Sequence, residues 1–222
     1  MPRPLPFPRP APKNLRVNVA HVFRPPRAPT PRPPLLVLLH GIGADELDPR
    51  LAVASLRAPY EAEPMGHAWY AVDWRTTPPT GDFEQAEESR AALVALLPAL
   101  AREHGTDPAR TFLLGFSQGA ILSLAVALTA PGLVRGIVLH SGRVLPGLAA
   151  RVPPAAALAG LDALVLHGTQ DDVIPVRRGR EIRDLLGPLL GARLEYREHD
   201  AGHGVTAATL ADVRRWLAAR LG

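Results

Sequence analysis

Four short runs of nearly continuous apolar residues punctuate the chain: Leu35–Leu39, "TFLLGF" from Thr111, "GIVLHSG" from Gly136 and "DALVLHG" from Asp162. Each is too short for a typical helix and apolar at alternate as well as adjacent positions. That pattern predicts strands buried on both faces, as in a parallel sheet. Between the runs the period changes to that of a helix. From Phe83 to His104, residues Phe83, Ala86, Leu93, Leu97 and Leu100 fall roughly on one face, with Asp82 as the N-cap candidate. Further helices are predicted over Gln118–Leu128, from about Val176 to Leu190, and from about Val205 to Leu221. Asn14–Phe23 and Arg193–His199 read as two more strands. Strands that alternate with helices define an α/β fold. Residues 48–57 are ambiguous: a strand there would follow Leu39 by little more than the minimum parallel crossover, and the other reading is a short helix. The strand is preferred.

Composition sets limits on this picture. A chain of 222 residues, 47% apolar and 21% charged, suits one domain with a sizeable core. The expected organisation is a Pro/Arg-rich leader over residues 1–13 and a single domain over 14–222. The pI near 10.3 points towards nucleic acid only until the charges are located. Residues 1–34 carry seven basic side chains, no acidic one and 12 of the 25 prolines, which leaves 18 basic against 21 acidic residues elsewhere. The basic character therefore belongs to an extended arm, and no nucleic-acid partner is expected. No apolar stretch approaches the roughly 18 residues of a membrane span, so neither stable membrane insertion nor an apolar secretory segment is expected. The cytoplasm is the expected compartment. The absence of cysteine excludes disulfides, a thiolate nucleophile and thiol-ligated zinc.

Reactive residues should lie at the carboxyl ends of buried strands, where α/β sheets bind ligands. Ser117 follows "FLLGF", Asp171 and Asp172 follow "LVLHG", and His203 follows "LEYREHDAG". Gly115-x-Ser117-x-Gly119 lies between a predicted strand and a predicted helix, where small residues permit a sharp turn that exposes the serine oxygen. The order Ser, Asp, His is that of the α/β-hydrolase scaffold. A serine hydroxyl needs a base, and the base needs an orienting carboxylate. His203, flanked by Gly202 and Gly204, is the best base. His40, His140 and His167 end buried strands, where packing or backbone bonding is the commoner role, and His21 and His199 lie within strand patterns. His199 and His203 are four residues apart, but the intervening "DAG" is not helical, so no metal and no other cofactor is expected. Spacing alone leaves Asp171 and Asp172 both open as the acid.

"HGIG", "GFSQGA", "HSGRVLP", "HGTQDDVIP" and "AGH" together resemble the phospholipase/carboxylesterase family that includes the acyl-protein thioesterases, cap-less members of the α/β-hydrolase fold. The resemblance covers roughly residues 34–222. It implies Asp171 as the acid, four residues before Pro175, and an oxyanion hole made by the backbone N–H groups of Ile42 and Gln118. It also sets "GHAWYAVDW" beside the family's aromatic strip, making Trp69 and Tyr70 substrate-pocket candidates, with ordinary core packing as the competing role. The chain departs from the family after "HGIG", where the usual helix looks missing or reduced. About twenty residues separate the strand ending near Ser141 from that starting near Asp162, too few for a large cap, so an open site is expected. Leu145 and Val173 would give it an apolar wall.

The expected activity is hydrolysis of short- to medium-chain acyl esters by a serine carboxylesterase. Hydrolysis of thioesters or lysophospholipids, and acyl transfer to another acceptor, use the same residues. A hydrolase fold retained only as a binding module is the competing class. The expected partner is a small acyl ester or thioester, and the sequence does not distinguish a monomer from a homodimer.

Overall fold

The computed structural model describes residues 19–39, 50–62, 66–76 and 79–221. The leader, residues 14–18 of the first predicted strand and the "HGIG" loop with Ile42 lie outside the described residues.

Seven strands form one sheet: β1 (His21–Arg24), β2 (Pro34–Leu39), β3 (Ala52–Leu56), β4 (Asp107–Phe116), β5 (Gly136–His140), β6 (Asp162–Gly168) and β7 (Leu194–His199). Their spatial order is β1-β3-β2-β4-β5-β6-β7. Only β1 runs antiparallel to its neighbour in this sheet; the other adjacent pairs are parallel. Within the ambiguous stretch Ala52–Leu56 is thus a strand, paired in register with β2 from Leu35↔Ala52 to Leu39↔Leu56. β4 begins four residues before its apolar run. Its polar start, "DPAR", is joined to β2 through a register shift between Pro34 and Leu35, which the apolar pattern does not signal.

The helices are α1 (Phe83–Glu103), α2 (Gln118–Thr129), α3 (Arg177–Leu190) and α4 (Ala207–Leu221). Asp82 caps α1 as expected, its carboxylate accepting the Gln85 N–H at 3.0 Å. α4 starts later than the apolar pattern implies because Thr206 precedes it, with the Thr206 hydroxyl accepting from the Thr209 N–H at 3.2 Å.

Strand alternation divides the core in two. Leu35, Val37 and Leu39 of β2 join the larger cluster, with residues of α1, α2 and α3; Leu36 and Leu38 join the smaller one, with Val213, Trp216 and Leu217 of α4. Both faces of β2 are therefore apolar, and the sequence shows no alternation there. Residues 142–161 between β5 and β6 contain two short 3₁₀ turns, Leu148–Arg151 and Ala155–Leu158, and no cap. Among the described residues, no helix is long and apolar enough to cross a membrane.

Candidate active site

Ser117 is the single residue between the end of β4 and the start of α2. Its backbone is held at φ 54°, ψ −118°, a conformation that typically costs about 1–3 kcal/mol for a residue with a side chain. The turn is enforced by close approach on both sides. A Cβ on Gly115 would sit 2.3 Å from the Gly119 carbonyl, and one on Gly119 would sit 1.9 Å from the Leu39 oxygen. The two glycines let α2 pack directly against the ends of β2 and β4, and the Ser117 N–H donates to the His140 carbonyl of β5 at 2.9 Å.

His203 Nε2 lies 3.1 Å from Ser117 Oγ, and His203 Nδ1 lies 2.8 Å from Asp171 Oδ2. With Nδ1–H donating to the carboxylate, Nε2 is free to accept the serine proton. Asp172 is exposed, whereas Asp171 is 6% exposed. Asp171 Oδ1 accepts the N–H groups of Val173 and Ile174 at 3.1 and 2.7 Å. Burial alone would raise the Asp171 pKa, but bonds from His203 and the Ile174 N–H more than offset it and hold the carboxyl below its ordinary range. Because the folded-state pKa is depressed, this contribution to stability is present above the ordinary aspartate range and is lost as the pH falls through the lowered value.

The loops carrying acid and base are laced together. Thr169 N–H donates to the His199 carbonyl at 2.8 Å, Gln170 N–H to the Ala201 carbonyl at 3.0 Å, and a Cβ on Gly168 would sit 2.3 Å from the Ala201 oxygen. His167, fully buried, bonds through Nε2 to the Ile174 carbonyl at 2.7 Å and so closes the turn around Asp171. This is the backbone-bonding role expected for a strand-end histidine. The Phe116 ring packs against those of His203 and His140, with centroids 4.8 and 5.4 Å apart. Burial, reinforced by the neighbouring histidines, pushes the His140 pKa down from 6.5 to about 4. The unfolded chain therefore binds the proton more readily, and His140 withdraws stability as the pH falls from about 6.5 to about 4.

The Gln118 N–H is the first of α2, has no acceptor within the helix and stands at the positive end of the helix dipole. Its side chain has a function the sequence did not reveal. Oε1 accepts the Trp69 N–H at 2.9 Å, and Nε2 donates to the Tyr70 carbonyl at 2.8 Å. From α1, Ser89 donates to the Trp69 carbonyl at 2.6 Å and Gln85 accepts the Ala71 N–H at 2.8 Å. Residues 69–71 are irregular buried backbone, four of whose polar groups are satisfied by these side chains and a fifth, the Ala71 carbonyl, by the Asp82 N–H. Trp69 and Tyr70 are 1% and 2% exposed members of the larger core cluster. Both side chains pack in the core, and the aromatic strip looks inward where Gln118, Ser89 and Gln85 tie down its backbone. Leu145 is half-buried against the core, and Val173 is 43% exposed on the acid loop.

The model of the phospholipase/carboxylesterase family matches residues 26–221, and the chain belongs to that family. The fold is the α/β-hydrolase fold. A carboxylesterase from Mesorhizobium loti has a TM-score of 0.74 and 26% identity, covering 94% of this chain and 98% of its own. A probable inactive carboxylesterase of Oryza sativa subsp. japonica is 27% identical over 211 residues, 84% of each chain. Esterase YpfH of Escherichia coli is 30% identical over 165 residues, 65% of this chain and 64% of its own.

Proposed function

We propose that this chain is an active serine carboxylesterase acting on short- to medium-chain acyl esters. One similar protein, from Oryza sativa, bears the name probable inactive carboxylesterase, so family membership alone does not establish turnover. The observation that carries the proposal is the continuous path from Ser117 Oγ through His203 to the buried Asp171 carboxylate. In the proposed cycle Ser117 Oγ attacks the acyl carbonyl carbon while its proton passes to His203 Nε2, and Asp171 stabilises the resulting imidazolium. The Gln118 N–H, with that of Ile42 as the family pattern implies, receives the developing oxyanion; each such donor is typically worth about 100- to 1000-fold in rate. The carbon–oxygen bond to the leaving group breaks, and His203 returns the proton to the departing alkoxide. Water then attacks the acyl-enzyme with His203 again as base, releasing the acid and restoring the Ser117 hydroxyl. The same steps cleave a thioester. The uncapped connection after β5 and the exposed Val173 favour an open, partly apolar mouth suited to small acyl groups.

The test is labelling with a fluorophosphonate, followed by a hydrolysis panel that varies acyl length and compares oxygen with sulfur esters. The wild type should label and Ser117→Ala should not. Absence of label from folded wild type would leave the binding-module reading in its place.

A further inference from the structure

We propose a second site, independent of the acyl-hydrolase reading: a divalent transition-metal site formed by His21, Glu103 and His104. The three are brought together by the fold. His21 lies on the edge strand β1, Glu103 ends α1 and His104 is its C-cap, and none belongs to an element that supplies Ser117, Asp171 or His203. Sequence spacing gave no warning, since the two histidines are 83 residues apart, and the expectation of no metal rested on local patterns.

The donor atoms converge. His21 Nε2 and His104 Nε2 are 3.0 Å apart, and Glu103 Oε1 lies 4.0 Å from the first and 3.7 Å from the second. A point equidistant from these three atoms lies about 2.1 Å from each, within the usual range of Zn–N and Zn–O bonds, about 2.0–2.2 Å. The rings face one another through Nε2 at hydrogen-bond distance, so an ion would replace that contact and each lone pair would turn by about 45° towards that point. Two features hold His104 in place. The His104 ring stacks on Phe23 with centroids 3.7 Å apart and planes within 3°, and its backbone N–H bonds to the Leu100 carbonyl. The His side chains are 19% and 15% exposed and that of Glu103 is 60% exposed, leaving an approach from solvent. The C-terminus of α1 adds its partial negative charge at the same place.

Two imidazoles and one carboxylate are ligands for Zn²⁺ and its neighbours, not for Mg²⁺ or Ca²⁺, which take oxygen ligands. Three protein ligands leave a fourth position for water. A bound ion would clip the edge strand β1 to the end of α1, joining the first described strand to the longest helix.

The test uses the untagged full-length chain, stripped with a chelator and titrated with Co²⁺ by absorption and with Zn²⁺ by calorimetry. Wild type should take up one saturable equivalent with the absorption of a low-coordinate Co²⁺ site, and Zn²⁺ should raise its Tm. Glu103→Gln, a change at an exposed side chain, and His21→Gln should each weaken binding by more than about 10-fold; changing only a ligand's hydrogen-bond partner typically weakens it about 10- to 100-fold. Hydrolysis of a small ester should stay within about 2-fold of wild type in both variants and in Zn²⁺-loaded wild type. The proposal is overturned if wild type shows no saturable equivalent, if both variants bind as tightly as wild type, or if the first equivalent of metal abolishes ester hydrolysis, which would place the ion at His203.

Discussion

Ser117 and Ser141 stand just beyond the ends of adjacent strands, β4 and β5, with nearly the same backbone twist, φ 54° and φ 52°. Each N–H continues the ladder into the next strand, Ser117 to the His140 carbonyl and Ser141 to the Leu166 carbonyl, both at 2.9 Å. Their side chains meet different surroundings. Ser117 is half-buried with Oγ against His203, whereas Ser141 is fully buried near Asp171. Its hydroxyl helps to lower the Asp171 pKa, although its geometry falls short of a full hydrogen bond. A positive φ of nearly the same size thus accompanies one hydroxyl presented to a base and another tucked under the acid. Position in the sheet, not backbone strain, separates a candidate nucleophile from a supporting residue.

The largest effect should come from exchanging the two hydroxyls for hydrogen. Ser117→Ala should lower kcat for a small ester by at least about 1000-fold and abolish fluorophosphonate labelling. Ser141→Ala should keep the label and lower kcat by less than about 10-fold, because it weakens only one of several supports of the Asp171 carboxylate. Equal losses would break the comparison. The same contrast applies to the acid: Asp171→Asn should lower kcat by about 1000- to 10,000-fold, by presenting the wrong hydrogen-bond partner to His203 Nδ1, while the exposed Asp172→Asn should stay within about 3-fold. Steady-state kinetics on folded variants reads both.

The glycines following the two serines differ in what they touch. A methyl on Gly119 would meet the Leu39 carbonyl oxygen at 1.9 Å, a backbone atom of a central strand. On Gly142 it would meet the Ala120 Cβ at 2.9 Å, a side-chain atom at the start of α2. Gly119→Ala should therefore lose about 3 kcal/mol or more of unfolding free energy, or fail to fold, while Gly142→Ala should lose about 1–2 kcal/mol. Urea unfolding at neutral pH distinguishes them.

These contacts show what the sequence could and could not reveal. Ser117 was legible because it stands between two glycines after an apolar run, and His203 because it stands between two glycines after a predicted strand and before the last helix. Residue spacing alone left Asp171 and Asp172 equal; the family resemblance implied Asp171, and it is the buried one, at 2.8 Å from His203. The central strands were legible because burial on both faces leaves an uninterrupted apolar run. The polar start of β4, set by a register shift, carried no such signal. The inward turn of Trp69 and Tyr70 depends on side chains from two helices, Gln85 and Ser89 on α1 and Gln118 on α2, that gather there only in the folded chain. The His21, Glu103 and His104 cluster was hidden for the same reason.

The smallest effect tests whether the shared twist is itself a burden at Ser141. At φ 52° a residue with a Cβ is strained, and glycine is not. Both Ser141→Ala and Ser141→Gly remove the same buried hydroxyl, so the difference between them comes from the backbone and one buried Cβ. Alanine leaves the strain in place. Glycine removes it but enlarges the freedom of the unfolded chain, which opposes the gain. The relief should prevail, because a strained backbone typically costs about 1–3 kcal/mol, against about 0.4–1 kcal/mol for the entropy and about 0.8 kcal/mol for the lost buried Cβ. Ser141→Gly should therefore be more stable than Ser141→Ala by about 0.5 kcal/mol, read from paired urea unfolding curves with equal slopes. Alanine as the more stable variant would mean that the strand end, anchored by the bond to Leu166, relaxes to accommodate a side chain. The twist at Ser141 would then be a consequence of its packing rather than strain retained in the fold.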